Sequence, residues 1–328
     1  MGGLAREGAS RFRAARLAYG HGTLGARDEA AYLTLHALGL PLDAGPDVLA
    51  RRIGSRAARR VLGLFDRRVR TRKPAAYLTR EAWLGDFRFY VDERAIVPRS
   101  HIAALADEKL APWIRRPRAV KTALDLCTGS GCLAILLALR FPQARIDAAD
   151  ISAAALAVAR INVKRYGLGQ RIRLVRSDLF SALGARRYDL IVCNPPYVAA
   201  AAMRRLPREY RHEPRLALAS GRDGLTAVRA ILQQAPGYLN PAGLLVMEVG
   251  DGRQRVERAF PRVAFTWAET AGGGGVLVVR REQLPGQALP SPGMRAVAAL
   301  RAAPVRRIAR ASSRAAGSRS RNAPASAG

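Results

Sequence analysis

The chain has 328 residues, 49% of them hydrophobic, and 55 Lys and Arg against 25 Asp and Glu give it a net charge of +30. That is enough chain for two domains with a proper core, and no apolar run reaches the ~18 residues of a membrane span. Residues 1–7 lack the apolar stretch of a secretory signal, and three cysteines (Cys127, Cys132, Cys193) with four scattered histidines suit neither a disulfide framework nor a metal site.

The three cysteines are expected inside core strands or helices, and a reducing cytoplasm is the expected compartment. The charge predicts attraction to polyanions, RNA above all. Nearly all the bases are arginines in an alanine-rich chain, so part of that charge is composition bias on solvated faces.

Residues 1–72 read as a small helical domain. One helix is expected over 4–19, ahead of the turn Gly20-His21-Gly22-Thr23. A second opens with the acids Asp28 and Glu29 in its first turn and ends at Gly39 and Pro41. A third covers 47–69, with Val48, Ile53, Leu62, Phe65 and Val69 at loosely helical spacing. Residues 73–101 read as a β-hairpin linker: aromatic and β-branched runs at 76–79 and 87–91 flank Gly85-Asp86, and the segment closes on Val97-Pro98-Arg99-Ser100.

From 102 to 284 the rhythm is that of an α/β domain. A helix over 102–110 and a Pro- and Arg-rich break precede strands at 122–127, 145–149, 172–175, 188–193 and 244–249. Helices are expected over 130–141, 153–166 and 224–238, with a long loop over 194–223. A short helix near 253–259 and strands near 263–268 and 275–280 complete it. Such alternation means a mostly parallel sheet with helices on both faces and a ligand site at the carboxyl ends of its strands. Residues 285–328 hold eight arginines and no acid or lysine, the composition of a disordered basic tail.

Four features of the sheet carry chemistry. The first strand runs into Cys127-Thr128-Gly129-Ser130-Gly131, whose glycines allow backbone to approach a ligand at a helix N-terminus. It is not the dinucleotide fingerprint, because the third glycine position falls on Ala134. Asp150 closes the second strand, about 20 residues on, where an acid can accept both hydroxyls of a ribose. Asp178-Leu179 follows the third strand, where a carboxylate can accept an exocyclic adenine amine. Each acid alone reads as a helix cap or turn former; at the ends of successive strands the three features suggest an adenosine pocket.

The fourth feature is Asn194-Pro195-Pro196-Tyr197, after the buried run 188–193. By itself it reads equally as a proline-rich turn with a buried tyrosine. As a site it is stiff, with carbonyls turned outward, an amide that both accepts and donates, and a flat ring. That suits a planar NH₂ group. Such a nitrogen is a poor nucleophile because its lone pair is delocalised, and acceptors on both its hydrogens would draw it toward pyramidal geometry.

An adenosine pocket followed by this tetrapeptide resembles the class I methyltransferases that use S-adenosylmethionine on planar nitrogen. The likeness extends to Gly20-His21-Gly22-Thr23, residues 76–83, 89–94 and 97–100, Glu209-Tyr210-Arg211-His212-Glu213-Pro214 and Leu218-Ala219-Ser220-Gly221. Over about residues 10–284 the chain is similar to the bacterial ribosomal-protein glutamine methyltransferases, which modify a glutamine amide of the third large-subunit ribosomal protein. The resemblance implies an α/β, Rossmann-like class I methyltransferase domain behind a helical substrate-recognition domain and a hairpin linker. It further implies that Cys127 to Gly131 surround the methionine end of the cofactor, that Asp150 holds its ribose and Asp178-Leu179 its adenine, and that Asn194 to Tyr197 clamp the substrate. Cys127 stands where sister enzymes often have glycine, and the basic tail has no counterpart in the family pattern.

The sister enzymes acting on peptide release factors share the glycine loop, Asp150 and the tetrapeptide but lack the Gly-His-Gly-Thr and Tyr-Arg-His-Glu-Pro wording. An amino-methyltransferase of adenine or guanine in nucleic acid would suit the +30 charge. It would generally need a target-recognition insertion and aromatic side chains to stack a base, against 6% aromatics here. A non-enzymatic ribosome-assembly factor with a relict pocket is the remaining alternative, disfavoured by an intact motif set. Outside the motifs, Arg99 is read as a surface arginine rather than a ligand for the cofactor carboxylate, Glu213 and Arg211 as loop residues that could shape the mouth of the site, and Glu248 as structural.

Overall fold

The computed structural model describes residues 1–270 and 275–285; the predicted basic tail lies beyond them. The N-terminal helices are α1 (Gly2–Ala14), α2 (Ala26–Leu38), α3 (Pro46–Ala50), α4 (Ser55–Thr71) and α5 (Ala75–Thr79). Phe12 of α1 meets Phe65 of α4 edge-on at 5.3 Å, and both are buried with Leu33 of α2 and Val61 of α4. The first helix stops at Ala14, short of the expected 19. The chain from Ala15 to Gly25 leaves helical geometry, placing the backbone of Ala18 against charged partners described below. The third expected helix is two, broken at Arg51–Gly54, where Gly54 takes an extended conformation before α4 begins.

The hairpin is present with its turn at Gly85-Asp86, but its strands are β1 (Glu81–Leu84) and β2 (Phe87–Tyr90), with Leu84 opposite Phe87 and Glu81 opposite Tyr90. Residues 76–79, expected as strand, belong to α5. Pro74 starts this turn, and the Thr79 hydroxyl donates back to Ala75 O in helical fashion. Leu84 and Phe89 bury against α6 (Ile102–Asp107) and the next helix, α7 (Cys132–Arg140).

The main sheet comprises β3 (Thr122–Leu126), β4 (Arg145–Asp150), β5 (Ile172–Arg176), β6 (Tyr188–Cys193), β7 (Leu239–Gly250), β8 (Thr266–Ala268) and β9 (Gly275–Arg280). Their order is β5-β4-β3-β6-β7-β9-β8, with β5 to β7 mutually parallel and β9 antiparallel to both of its neighbours. Alternate residues of β6 face opposite layers. Leu190 and Val192 pack with α6 and α7, while Ile191 and Cys193 pack with α10 (Thr226–Tyr238). α8 (Ala153–Arg165) adds Val163 to the first layer, and α11 (Arg253–Ala259) adds Val256 to the second. The long loop after β6 contains α9 (Ala200–Met203) and two 3₁₀ turns, Arg208–His212 and Arg215–Ala217. Together these make the α/β methyltransferase-type architecture with a helical region and hairpin ahead of it, all in one compact unit through Ala296.

Candidate active site

The strand order puts a switch point at β3. The chain leaves it on one side for β4 and β5, then returns to its other side as β6, so loops after β3 and β6 open a cleft between them. The register makes this concrete. Leu126 lies opposite Cys193 and also opposite Ala149, and Asp150 lies opposite Arg176. The segments Cys127–Gly131, Asp150, Asp178-Leu179 and Asn194–Tyr197 therefore all leave the same edge of the sheet.

Hydrogen bonds set the first three in place. Thr128 N–H donates to Ala149 O at 2.9 Å and Gly129 N–H to Asp150 Oδ2 at 2.9 Å; Ser152 N–H reaches Asp150 Oδ1 at 2.8 Å. Burial raises the Asp150 carboxyl, and the two backbone donors oppose that rise. Ser177 N–H ties the start of the next loop to Asp150 O at 3.0 Å. The Asp178 carboxylate has no hydrogen-bond partner among the described residues, and burial raises its pKa too. Two non-glycine residues here hold left-handed backbone, Cys127 at φ 60° and Leu179 at φ 46°. Such conformations cost on the order of 1–3 kcal/mol each and cluster at ligand sites. Cys127 thus lies in the turn, not in a strand as expected, whereas Cys132 and Cys193 are in α7 and β6.

Asp125, next to the motif but given no role from sequence, is fully buried. Its Oδ2 accepts from the Thr128 hydroxyl and from Ala134 N–H, while Oδ1 has no partner. Burial pushes this carboxyl up to about 7 against those two donors. Asn162 of α8 was also missed. Its amide nitrogen donates to Ser130 O and Tyr90 O, and its oxygen accepts from Tyr90 N–H, joining the hairpin to the glycine loop. Nothing short of the folded register reveals that partnership, since the bonded residues are 32 and 72 positions away.

On the other side of the cleft the Asn194 amide makes no hydrogen bond among the described residues, and no donor there reaches Pro195 O. Pro195 is buried and Asn194 and Tyr197 are partly exposed. Tyr197 is fixed: its hydroxyl donates to Glu248 Oε1 at 3.2 Å. A Cβ on Gly250 would fall 2.6 Å from the tyrosine ring, and one on Gly224 only 2.4 Å from Tyr197 O. Both glycines also hold positive φ, so the tyrosine sits where only glycine can be on either side. Glu248 is 2% exposed, and its Oε2 accepts from Ser100 Oγ at 2.7 Å and His101 N–H at 2.9 Å. It is structural, as expected, but structural for the clamp: it ties Tyr197 to the linker.

Arg99 is not a surface arginine. Its guanidinium clasps both oxygens of Glu213, which is 4% exposed and also accepts from Val97 N–H. Burial pushes the Glu213 carboxyl up, but Arg99 and then His21 outweigh it and bring it to about 2. Arg99 is therefore committed to a protein carboxylate. His21 Nε2 lies 3.7 Å from Glu213 Oε2, and its ring lies 4.4 Å from that of Tyr210. The two stretches Gly20–Thr23 and Glu209–Pro214, 190 residues apart, thus meet in space.

A second buried cluster lies alongside. Glu209 Oε1 accepts from Ala18 N–H and pairs with Arg72 at 2.9 Å and Arg68 at 3.7 Å, and Arg68 Nε donates to Glu29 at 2.7 Å. Arg68, Glu29 and Glu209 are each at most 1% exposed. These charges pin the N-terminal helices to the loop that follows the clamp.

Comparison with known proteins adds two findings. Residues 108–209 match the family model described as methyltransferase small domain, a span that contains every segment of the cleft. Proteins described as ribosomal protein uL3 glutamine methyltransferase are similar over most of their length. The one from Bordetella pertussis is 56% identical over 282 residues, 86% of this chain and 95% of that protein. Those from Neisseria meningitidis serogroup B and Burkholderia pseudomallei are 54% and 51% identical, covering 85% and 86% of this chain and 92% and 94% of theirs.

Proposed function

The chain belongs to the family of ribosomal protein uL3 glutamine methyltransferases, and from that premise we propose how its residues divide the work. The reaction moves a methyl group from S-adenosylmethionine to the side-chain amide nitrogen of a glutamine in uL3. The supporting observation is the pairing of Leu126 with Cys193, which brings the Cys127–Gly131 turn beside Asn194.

The acceptors at the sheet edge suit the cofactor. Asp150 gives only one backbone contact to each oxygen, leaving lone pairs for two ribose hydroxyls. The partnerless Asp178 carboxylate, next to the left-handed Leu179, suits an adenine amine. Cys127, Thr128, Gly129, Ser130 and Gly131 would line the methionine end. When bound, S-adenosylmethionine supplies an electrophilic methyl carbon.

The chain's own contribution is to prepare the nitrogen. Asn194 Oδ1 and Pro195 O accept one hydrogen each from the glutamine NH₂, which localises its lone pair and stabilises the positive charge that develops there. Pro195 and Pro196 fix those acceptors by restricting φ, so little reorganisation accompanies the reaction. Tyr197, held by Glu248, walls the planar group. The proton is released once the nitrogen is alkylated and passes to solvent, so no strong base is required. The helical region 1–72 and hairpin 73–101 present the protein substrate to the catalytic region 102–284.

The paired variants Asn194→Ala and Asp150→Ala test these roles. Methyl incorporation into uL3, read by mass spectrometry, should collapse in the first while calorimetry shows nearly normal cofactor binding. The second should lose cofactor affinity first. Equal loss of both properties in both variants sinks the assignment. The +30 charge further supports non-specific RNA contact on assembling particles. Deleting 285–328 should weaken salt-sensitive RNA binding and leave turnover on isolated uL3 intact. RNase treatment of a ribosomal fraction that abolished methyl acceptance would instead favour an RNA substrate.

A further inference from the structure

Behind the Gly20–Thr23 turn lies a cavity of about 220 Å³, bounded by that turn, α2, α5 and β1. It is below the ~300–1,000 Å³ usual for cofactor or drug-sized ligands and has room for one side chain. Leu35 and Leu42 line its apolar part, and Tyr32 and Trp83 are its aromatic walls. Two acids line it, Asp28 and Glu81, and neither Lys nor Arg does, in a chain where 55 of 328 residues are basic.

Those acids have capacity to spare. Asp28 is exposed, and only its Oδ2 is engaged, by Leu24 N–H at 2.8 Å. Glu81 accepts from Trp83 Nε1 at 3.0 Å and faces a largely exposed Arg88 at 3.5 Å, a loose and displaceable pair. His21 also lines the cavity. It is 4% exposed, and neither ring nitrogen makes a hydrogen bond. A buried polar ring left without a partner is costly and marks a place completed by something else.

The cavity also communicates with the clamp. His21 is 3.7 Å from Glu213, Glu213 holds Arg99, and the adjacent Ser100 shares Glu248 with Tyr197. We propose that this cavity is a second substrate subsite, receiving a lysine or arginine side chain of the protein substrate. The methylene stem lies along Leu35 and Leu42, and the cationic head lies between Asp28, Glu81 and the indole of Trp83. The subsite rests on the reading of the enzyme as acting on uL3. It would give a +30 enzyme an attractive contact for a basic substrate that its overall charge repels.

The test is steady-state methyl transfer to uL3 by the full chain, with the Asp28→Asn/Glu81→Gln double variant, Asp28→Lys and Trp83→Ala. The double variant should raise KM by about tenfold with kcat nearly unchanged, the scale of one partly desolvated ion pair with a cation–π contact; Asp28→Lys should raise it further. Basic residues of uL3 flanking the modified glutamine are then replaced singly by glutamine. One replacement should raise KM for the wild-type enzyme and cause no additional loss in the double variant.

Unchanged KM in the charge variants overturns the subsite. So does a rise in Trp83→Ala alone, which would make the occupant apolar, or a lower KM in Asp28→Lys, which would make it anionic. Asp28 is exposed, so its neutral variant folds, and unaltered cofactor affinity checks this. Wild-type enzyme that fails to methylate uL3 at all would sink the functional reading instead, a separate result from normal turnover with indifferent variants.

Discussion

The two halves of this molecule that meet at the cleft are held by different physics. The sheet edge carrying Cys127–Gly131 and Asn194–Tyr197 is set by backbone register and by two glycines that admit Tyr197. The contact between the N-terminal helices and the loop after the clamp is set by buried charge: Arg68 between Glu29 and Glu209, and Arg99 on Glu213 with His21 beside it. Register is indifferent to pH and salt and places atoms to a fraction of an ångström. Buried ions give a contact that is strong only while every partner is present. The catalytic edge is thus built for constancy, and the helical region is joined through an all-or-none set of pairs.

The sharpest way to break that contrast is Arg68→Met, which keeps most of the apolar stem and removes the charge between two buried carboxylates. A loss of about 3–5 kcal/mol is expected, the range for removing one partner of a buried pair. Urea denaturation measures it, and a loss under ~1 kcal/mol would mean that apolar contacts such as Phe12 on Phe65 hold the helices without help from the ions. The second largest effect belongs to the sheet edge. Asn194→Ala should lower kcat by about 10²–10³-fold, as removal of a preorganised polar group does elsewhere, with little change in urea midpoint. A large stability loss alongside would show that Asn194 supports the loop and not the reaction.

The contrast also explains which parts could be read from sequence. The motifs of the cleft are contiguous runs at strand ends, so period, glycine and proline placement were enough to find them, and their mutual proximity followed from α/β topology. The charge pairs join residues 39 to 191 positions apart, and in a chain with 55 basic residues nothing singles out Arg68 or Arg99 as buried. The misread strand at 76–79 has a local cause: Tyr77 and Thr79 favour strands, but Pro74 and two alanines begin a helical turn that tertiary contacts complete, with Tyr77 buried and its hydroxyl on Ala95 O. Glu248 was legible as buried but not as the residue securing Tyr197, because its partners Ser100 and Tyr197 lie 148 and 51 positions away.

Glu248→Gln is a smaller perturbation that separates holding a clamp from forming it. The amide still offers one oxygen, so either the linker or the Tyr197 hydroxyl loses its acceptor, and about a tenfold fall in kcat with unchanged cofactor affinity is expected, the scale of one charge-assisted hydrogen bond. Tyr197→Phe should reproduce much of that fall and add little to it in the double variant. Additive losses would place Glu248 outside the clamp.

The smallest effect tests whether the sheet edge is as indifferent to pH as its register implies. Asp125 is its one exception, a fully buried carboxyl raised to about 7, chiefly by desolvation. The unfolded chain releases this proton near pH 4, whereas the fold retains it until about pH 7. The group's contribution is therefore fully present below pH 4 and is lost as pH rises through 7. Asp125→Asn removes the titration while keeping an acceptor oxygen for Thr128 and Ala134. Between pH 5 and pH 8, urea titrations of the cofactor-free protein should show the variant gaining on wild type by about 1–2 kcal/mol, less than the full shift would give because both hydrogen bonds favour the ionised form. Parallel pH profiles for the two proteins would mean that Asp125 is ionised throughout, its charge balanced by the amides of the turn above it.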